Sequence, residues 1–197
     1  MRKLMLILAI LLSFAVVASA EVPSPLSFYA GGAFSMPNGP TAFKDAYKTG
    51  YHGWIGAGYT VAPTFQVVGK IEHNHFAFDN GSFTGVEGGS MKIWMYGADA
   101  KFSPKVPTFP IKPFMFAGAG WASSKISEFT GSNTLATAVL NEGTNQTVTK
   151  MYWNIGAGAD IFSGPAFSVF LQGRWVSIQT EGSSTSFIPV SMGVRFF

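Results

Sequence analysis

The last eleven residues of the chain alternate between two kinds of side chain. Two interleaved sets make up most of this segment, an apolar set of Phe196, Val194, Met192, Val190 and Ile188, and a set of Arg195, Gly193, Ser191 and Pro189. A period of two places the sets on opposite faces of a β-strand. The segment therefore predicts a strand with one apolar face and one face that carries a cation and small groups.

Seven further segments alternate in the same way. Together with the last one, they cover residues 27–36, 50–61, 65–78, 90–102, 111–125, 150–162, 167–179 and 187–197. Most of these segments are as long as, or slightly longer than, the about nine to eleven residues that a tilted strand needs to cross a membrane. After residue 20, no apolar run approaches the length of a membrane-spanning helix. The pattern predicts an all-β fold, an eight-stranded antiparallel up-and-down transmembrane β-barrel.

The connections between these segments also alternate in length. Short turns follow the second, fourth and sixth segments, whereas the other connections, at residues 37–49, 79–89, 126–149 and 180–186, are mostly longer. Short turns at one end and long loops at the other are typical of bacterial barrels, whose turns face the periplasm. Loop 126–149, with an apolar patch at 135–140, is our first candidate for contact with a surface partner.

The amino terminus predicts export. Arg2 and Lys3 precede an apolar run, and Ala18-Ser19-Ala20 matches a cleavage site. This pattern predicts a cleaved signal peptide at residues 1–20 and a barrel domain at 21–197, located in the cell outer membrane. Cleavage removes two basic residues and no acidic one, so the nearly neutral mature chain does not predict a nucleic-acid partner. The sequence contains no cysteine and therefore no disulfide.

Alternation also assigns residues to the two faces of the barrel. Outward aromatic residues near strand ends predict girdles at the membrane interfaces, marked by Tyr59, Trp94, Trp121, Trp153 and Trp175. Inward charged residues are nearly balanced between cations and acids: Lys70, Glu72, Asp99, Lys101, Asp160, Arg174 and Arg195. Eight strands enclose a lumen that side chains just fill, and unpaired buried charges are costly. We therefore expect a paired charge network that plugs the lumen.

Few residues suggest chemistry. His73 and His75 share one strand face, but the sequence offers only Asp79 nearby as a further metal ligand. A lipid A deacylase needs a serine activated by histidine. The known deacylase family carries a His-x-Ser pair on one strand, and neither His73 nor His75 is followed by such a serine. We expect no catalytic residues, no cofactor and no metal site, and we expect that the protein is not an enzyme.

The chain resembles the small eight-stranded outer-membrane β-barrel family, which includes the OmpA transmembrane domain, OmpX and OmpW. The resemblance rests on FYAGGAF at 28–34, GAGYTVAP at 56–63, PFMFAGAG at 113–120 and GVRFF at 193–197. It implies contact with outer-membrane lipid and lipopolysaccharide, and insertion by the outer-membrane assembly machinery, with Phe196 and Phe197 in the assembly signal. The double phenylalanine departs from the family's ending, and Phe196 best continues the lipid-facing stripe. We expect a monomer.

Several functions are compatible with this pattern. The leading one is a structural or surface-interaction role. The alternative is a narrow channel or a carrier for small hydrophobic molecules, in which Phe114, Phe116 and Phe170 could line a recess. A lipid A-modifying enzyme ranks below both. A soluble lipocalin-like barrel would instead place apolar residues inside and polar residues outside.

Overall fold

The fold is seen in a computed structural model, which describes residues 25–79, 81, 85–104, 111–142, 144–180 and 183–197. Eight long strands form one closed sheet, and each is labelled in chain order. They are β1 Leu26–Gly39, β2 Gly50–Ala62, β3 Phe65–Ala77, β4 Ser90–Phe102, β5 Lys112–Ile126, β6 Thr147–Ser163, β7 Phe167–Thr180 and β8 Ser183–Phe196. The predicted signal peptide and its cleavage site lie outside the described residues.

Every strand pairs antiparallel with its neighbours in sequence, and β1 pairs with β8 to close the barrel. The closing register places Phe28 opposite Phe196 and Met36 opposite Ile188. The predicted all-β fold with eight antiparallel up-and-down strands is therefore confirmed. Closure leaves the sheet without a free edge, which is the arrangement that satisfies backbone groups where no water is present.

The two faces of the sheet differ sharply in polarity. Outward residues such as Ile55, Met115 and Leu171 are apolar and 47–60% exposed. Inward residues include Lys70 and Glu72, which are 6% and 1% exposed. Polar groups inside and apolar groups outside are the reverse of a soluble barrel, so the lipocalin-like alternative does not fit.

The long connections lie at one end of the barrel, here called the loop end, and the short ones at the other, the turn end. The loops contain two helices, α1 (Thr41–Ala46) and α2 (Thr134–Asn141), and two short strands, Glu87–Gly88 and Phe129–Thr130, that pair with each other. Helix α2 begins where Asn133 Oδ1 accepts a hydrogen bond from Ala136 N at 3.1 Å. No helix among the described residues is long and apolar enough to span a membrane.

The four predicted long loops need correction. The segment 37–49 contains α1, and the segment 79–89 contains the short strand Glu87–Gly88. The segment 126–149, read from its Gly, Asn, Ser and Thr content as loop, contains α2, from which Ala136 and Leu140 pack partly buried against loop residues. The segment 180–186 is mostly strand, since β7 continues to Thr180 and β8 begins at Ser183. Polar Ser and Thr residues obscured this extension of the sheet, because they suit turns as well as exposed strands.

Small residues make room for large ones inside the barrel. Gly97 of β4 lies directly opposite Gly120 of β5, and Tyr152 of β6 is the next residue across the sheet. A Cβ atom on Gly120 would lie 2.9 Å from Tyr152 Cε1 and 2.0 Å from the Tyr96 carbonyl oxygen. The glycines therefore let the tyrosine ring, which is 1% exposed, occupy the lumen.

We expect Gly120→Ala to lower the free energy of unfolding by about 1–3 kcal/mol, because the added methyl group overpacks the wall beside Tyr152. The matched control is Gly173→Ala, where an added Cβ has no heavy atom within 4 Å. Urea unfolding of both variants in lipid vesicles measures the difference. Equal unfolding midpoints for the two variants would contradict this packing.

Candidate functional site

The lumen contains all seven charged residues that alternation places inside. Six of them form three ion pairs: Lys70 with Asp99 at 2.5 Å, Arg174 with Glu72, and Arg195 with Asp160 at 2.7 Å. Their side chains are at most 13% exposed. The strands position them by alternation, since Lys70 and Glu72 are successive inward residues of β3, while Arg174 extends from β7 on the opposite wall.

Neutral side chains extend two of these pairs. Asn154 donates to Asp99 Oδ1 at 3.0 Å, and Asn74 donates to Glu72 Oε1 at 2.8 Å. Among the described residues, Nε and Nη1 of Arg174 find no acceptor. The guanidinium therefore depends on Glu72 for its counter-charge, and a buried cation that loses its partner is strongly destabilising.

Lys101, the seventh charged residue, forms no ion pair among the described residues. Its ammonium lies 3.8 Å from the ring centroid of Phe114 and 5.2 Å from that of Tyr29. Cation–π contacts of this kind offset part of the cost of burying a charge. Two aromatic rings thus contact the one cation of this set that has no carboxylate partner among the described residues.

Aromatic rings fill the lumen beside Lys101. The buried cluster comprises Tyr29, Trp54, Val68, Phe114, Phe116 and Phe170. Tyr29 stacks on Trp54 with ring centroids 5.9 Å apart, and Phe170 packs edge-on against Tyr29 at 6.0 Å. The three phenylalanines considered for a ligand recess are 1–5% exposed and contact one another. They pack as a core.

A polar centre around His52 was missed in the sequence. His52 Nδ1 lies 3.1 Å from Ser35 Oγ, and Nε2 lies 2.7 Å from Ser191 Oγ. Ser35 in turn donates to Asn74 Oδ1 at 2.7 Å, which connects the centre to Glu72. The signal available in the sequence was that His52 occupies an inward position of β2, as Trp54 does. Its serine partners come from β1 and β8, which only the closure register brings together.

The chemistry of the His52 centre is limited by burial. His52 is 4% exposed and Ser191 is 1% exposed. A serine nucleophile needs a histidine base that an acid orients, and access for a substrate. Here a second hydroxyl, from Ser35, occupies the position of the orienting acid. The arrangement satisfies buried polar atoms in the way that structural networks do.

Apolar residues close the loop end of the lumen. The cluster comprises Phe43, Phe76, Ile93, Met95, Ala122, Tyr152, Val176, Ile178 and Phe187. Phe43 comes from α1 and packs edge-on against Phe76 with ring centroids 5.4 Å apart, and Phe76 packs the same way against Phe187. A loop helix thus completes the plug, for which sequence analysis predicted only a charge network and no cover from the loops.

A second apolar cluster covers the first. Phe78 packs edge-on against Phe129 at 4.9 Å, and Ala136 and Leu140 of α2 pack against the cluster. Tyr47, which follows α1, contacts Phe78, and burial raises the pKa of its phenol. The loops therefore form a packed cap across the loop end.

The described part of the turn end contains a cleft. Its volume is about 420 Å³, and its lining includes Ser27, Gln66, Lys112, Arg195 and Phe197. Gln66 Nε2 donates to Ser27 Oγ at 2.7 Å at its base. Among the described residues, the turn end thus has a cleft that reaches Arg195 and Asp160 of the lumen, whereas loop residues cover the loop end.

The outward residues singled out in the sequence lie on the barrel exterior. The aromatic girdle residues Tyr59, Trp94, Trp121 and Trp153 are 40–59% exposed, and Trp175 packs edge-on against Trp153 at 4.8 Å. His73 packs at a tilt against Trp94, and His75 stacks on Tyr51. Among the described residues, no group of histidine, cysteine and acidic side chains is arranged to hold a metal.

Phe196 and Phe197 occupy different positions. Phe196 ends β8, opposite Phe28 on one side and Phe167 on the other. Phe197 lies beyond the strand, donates its backbone N–H to Ala166 O at 3.2 Å, and places its ring 4.8 Å from the Arg195 guanidinium. Only Phe196 continues the outward row.

We expect Glu72→Gln to lower the free energy of unfolding by about 3–5 kcal/mol, because Arg174 stays buried without its counter-charge. The matched control is Asp79→Asn, which breaks the exposed Lys48–Asp79 pair and should cost at most about 1 kcal/mol. Urea titration in lipid vesicles compares the two. A Glu72→Gln midpoint equal to that of Asp79→Asn would show that the buried pair contributes no more than a surface pair.

Comparison with known proteins supports the architecture. No family model and no curated protein matches the sequence. The solved structure of Neisserial surface protein A matches with a TM-score of 0.63 and 15% identity, covering 88% of this chain and 97% of that one. Ail, the attachment invasion locus protein of Yersinia pestis, in complex with the heparin analogue sucrose octasulfate, matches at 0.52 and 17%, covering 87% and 97%. The chain therefore has the fold of the small eight-stranded outer-membrane β-barrels.

Proposed function

We propose that the protein is an integral β-barrel of the bacterial outer membrane with a closed, non-conducting lumen and a structural or surface-interaction role. The observation that carries the proposal is the filled interior. Three ion pairs and the aromatic cluster occupy the lumen, and Phe43 of α1 helps close its loop end. A transmembrane pore needs a continuous aqueous path, which this packing opposes.

The exterior supports the membrane location. Apolar side chains such as Ile55, Ile71 and Met115 are 44–60% exposed on the outward face, a surface that suits lipid and not water. The loop end then faces outside the cell and the turn end faces the periplasm. Outer-membrane lipid and lipopolysaccharide are the partners of this surface, and the protein acts as a monomer.

The other candidate functions have less support. A carrier of hydrophobic molecules needs an apolar recess, whereas Phe114, Phe116 and Phe170 are buried against one another. A lipid A-modifying enzyme needs a reactive group that meets its substrate, whereas Ser191 and His52 are enclosed in the lumen. The cap also presents an exposed apolar surface on α2, where Leu135 and Val139 are 82% and 71% exposed. We propose this loop as the site of surface contact.

Planar-bilayer recording tests the closed lumen. We expect no steady conductance from purified protein whose heat-modifiable electrophoretic mobility shows that it is folded, because ion pairs and rings occupy the path. A general porin reconstituted in the same bilayers is the positive control. A reproducible, long-lived conductance step from the folded protein would contradict the proposal.

We also propose that the outer-membrane assembly machinery recognises β8 through its last residues. Deletion of Phe196 and Phe197 should strongly reduce the amount of heat-modifiable protein in the outer membrane. Because Phe196 belongs to the outward row and Phe197 does not, Phe196→Ala should reduce assembly more than Phe197→Ala. Unchanged assembly of the truncated chain would refute the role of this segment.

A further inference from the structure

Two lysines face each other on the outward side of the barrel at the loop end. Lys92 of β4 and Lys125 of β5 are directly opposite in the antiparallel register, and both are exposed. His75 of β3 lies on the other side of Lys92, and Thr147 of β6 on the other side of Lys125. One row across four strands thus carries two adjacent cations and no acid.

This juxtaposition has an energetic cost that no acid among the described residues offsets by an ion pair. Like charges directly opposite on one sheet face destabilise the pairing of strands. Neither Lys92 nor Lys125 forms an ion pair with another described residue. An external anion between the two ammonium groups would remove the repulsion.

The position of the row indicates where such an anion would lie. The next outward row toward the membrane contains Trp94 and Ser123, and the one after it contains Tyr96 opposite Trp121. Ser123 Oγ lies 2.8 Å from Thr149 Oγ1, so hydroxyl groups also line the face below the lysines. Aromatic residues mark the interface between hydrocarbon and headgroups. The lysines are therefore at the level of lipid headgroups in the outward-facing leaflet.

On the basis of the proposed outer-membrane location, we propose that Lys92 and Lys125 together bind a phosphate group of a phosphorylated glycolipid in the surrounding leaflet. A phosphate monoester carries close to two negative charges and three acceptor oxygens, which matches two ammonium groups that share one site. Lysine is a common phosphate ligand. The hydroxyls of Ser123 and Thr149 lie beside the sugar, and the acyl chains run down the exposed faces of Tyr96 and Trp121.

Native mass spectrometry of the folded protein, titrated in neutral detergent micelles with bisphosphorylated lipid A, tests this site. The wild-type chain should bind this lipid more tightly than the same lipid without phosphates or than phosphatidylglycerol. Lys92→Gln with Lys125→Gln should weaken binding of the phosphorylated lipid about thirtyfold, about fivefold for each lysine. The matched control, Lys44→Gln with Lys48→Gln, removes two exposed lysines outside this row and should retain wild-type affinity.

A third variant, Lys92→Arg with Lys125→Arg, keeps both charges and should retain the preference for the phosphorylated lipid. The proposal is overturned if the glutamine double variant binds as the wild type does, or if removal of the phosphates does not weaken binding by the wild type. Equal binding of phosphatidylglycerol overturns the assignment to a glycolipid monoester. If the variant with Lys92→Gln and Lys125→Gln binds the phosphorylated lipid normally and shows no conductance in planar bilayers, the lysine site is refuted while the closed lumen stands.

Discussion

The pairing of β1 with β8 is the constraint on which the rest of the structure depends. It closes the sheet, so that backbone donors and acceptors of the strands bond within the barrel. It also fixes the number of strands at eight, which leaves a lumen that side chains can fill. Lys70, Glu72 and Arg174 must then share a narrow, dry space, and only mutual pairing makes their burial tolerable.

The two ends of this lumen differ in the residues that surround them. At the loop end, Phe43 of α1 and the cluster around Phe78 and Phe129 stack two apolar layers over the polar interior. At the turn end, Arg195 lines an open cleft. Among the described residues, the long loops supply the cover. The cap therefore explains why loops on a closed barrel carry helices and buried aromatic residues.

Alternation in the sequence predicted much of this structure, since a strand such as β4 is defined by a local period of two that continues until a turn. The charged residues of the lumen could also be predicted, because alternate positions of a strand face opposite sides of the sheet. The His52 centre and the cap were not. His52 meets Ser191 only through closure of the sheet, and Phe43 reaches Phe76 only when α1 folds over the barrel. Contacts between distant segments have no periodic signature.

The claim that the lumen is filled and covered is tested most directly by cysteine accessibility, for which the natural absence of cysteine is well suited. Ser191→Cys places a thiol in the buried centre, and Thr60→Cys places one in the cleft at the turn end. In the folded protein, a small water-soluble thiol reagent should modify the cysteine at position 60 rapidly and the one at position 191 only after unfolding. Similar rates at both positions would show a water-filled lumen and contradict the account.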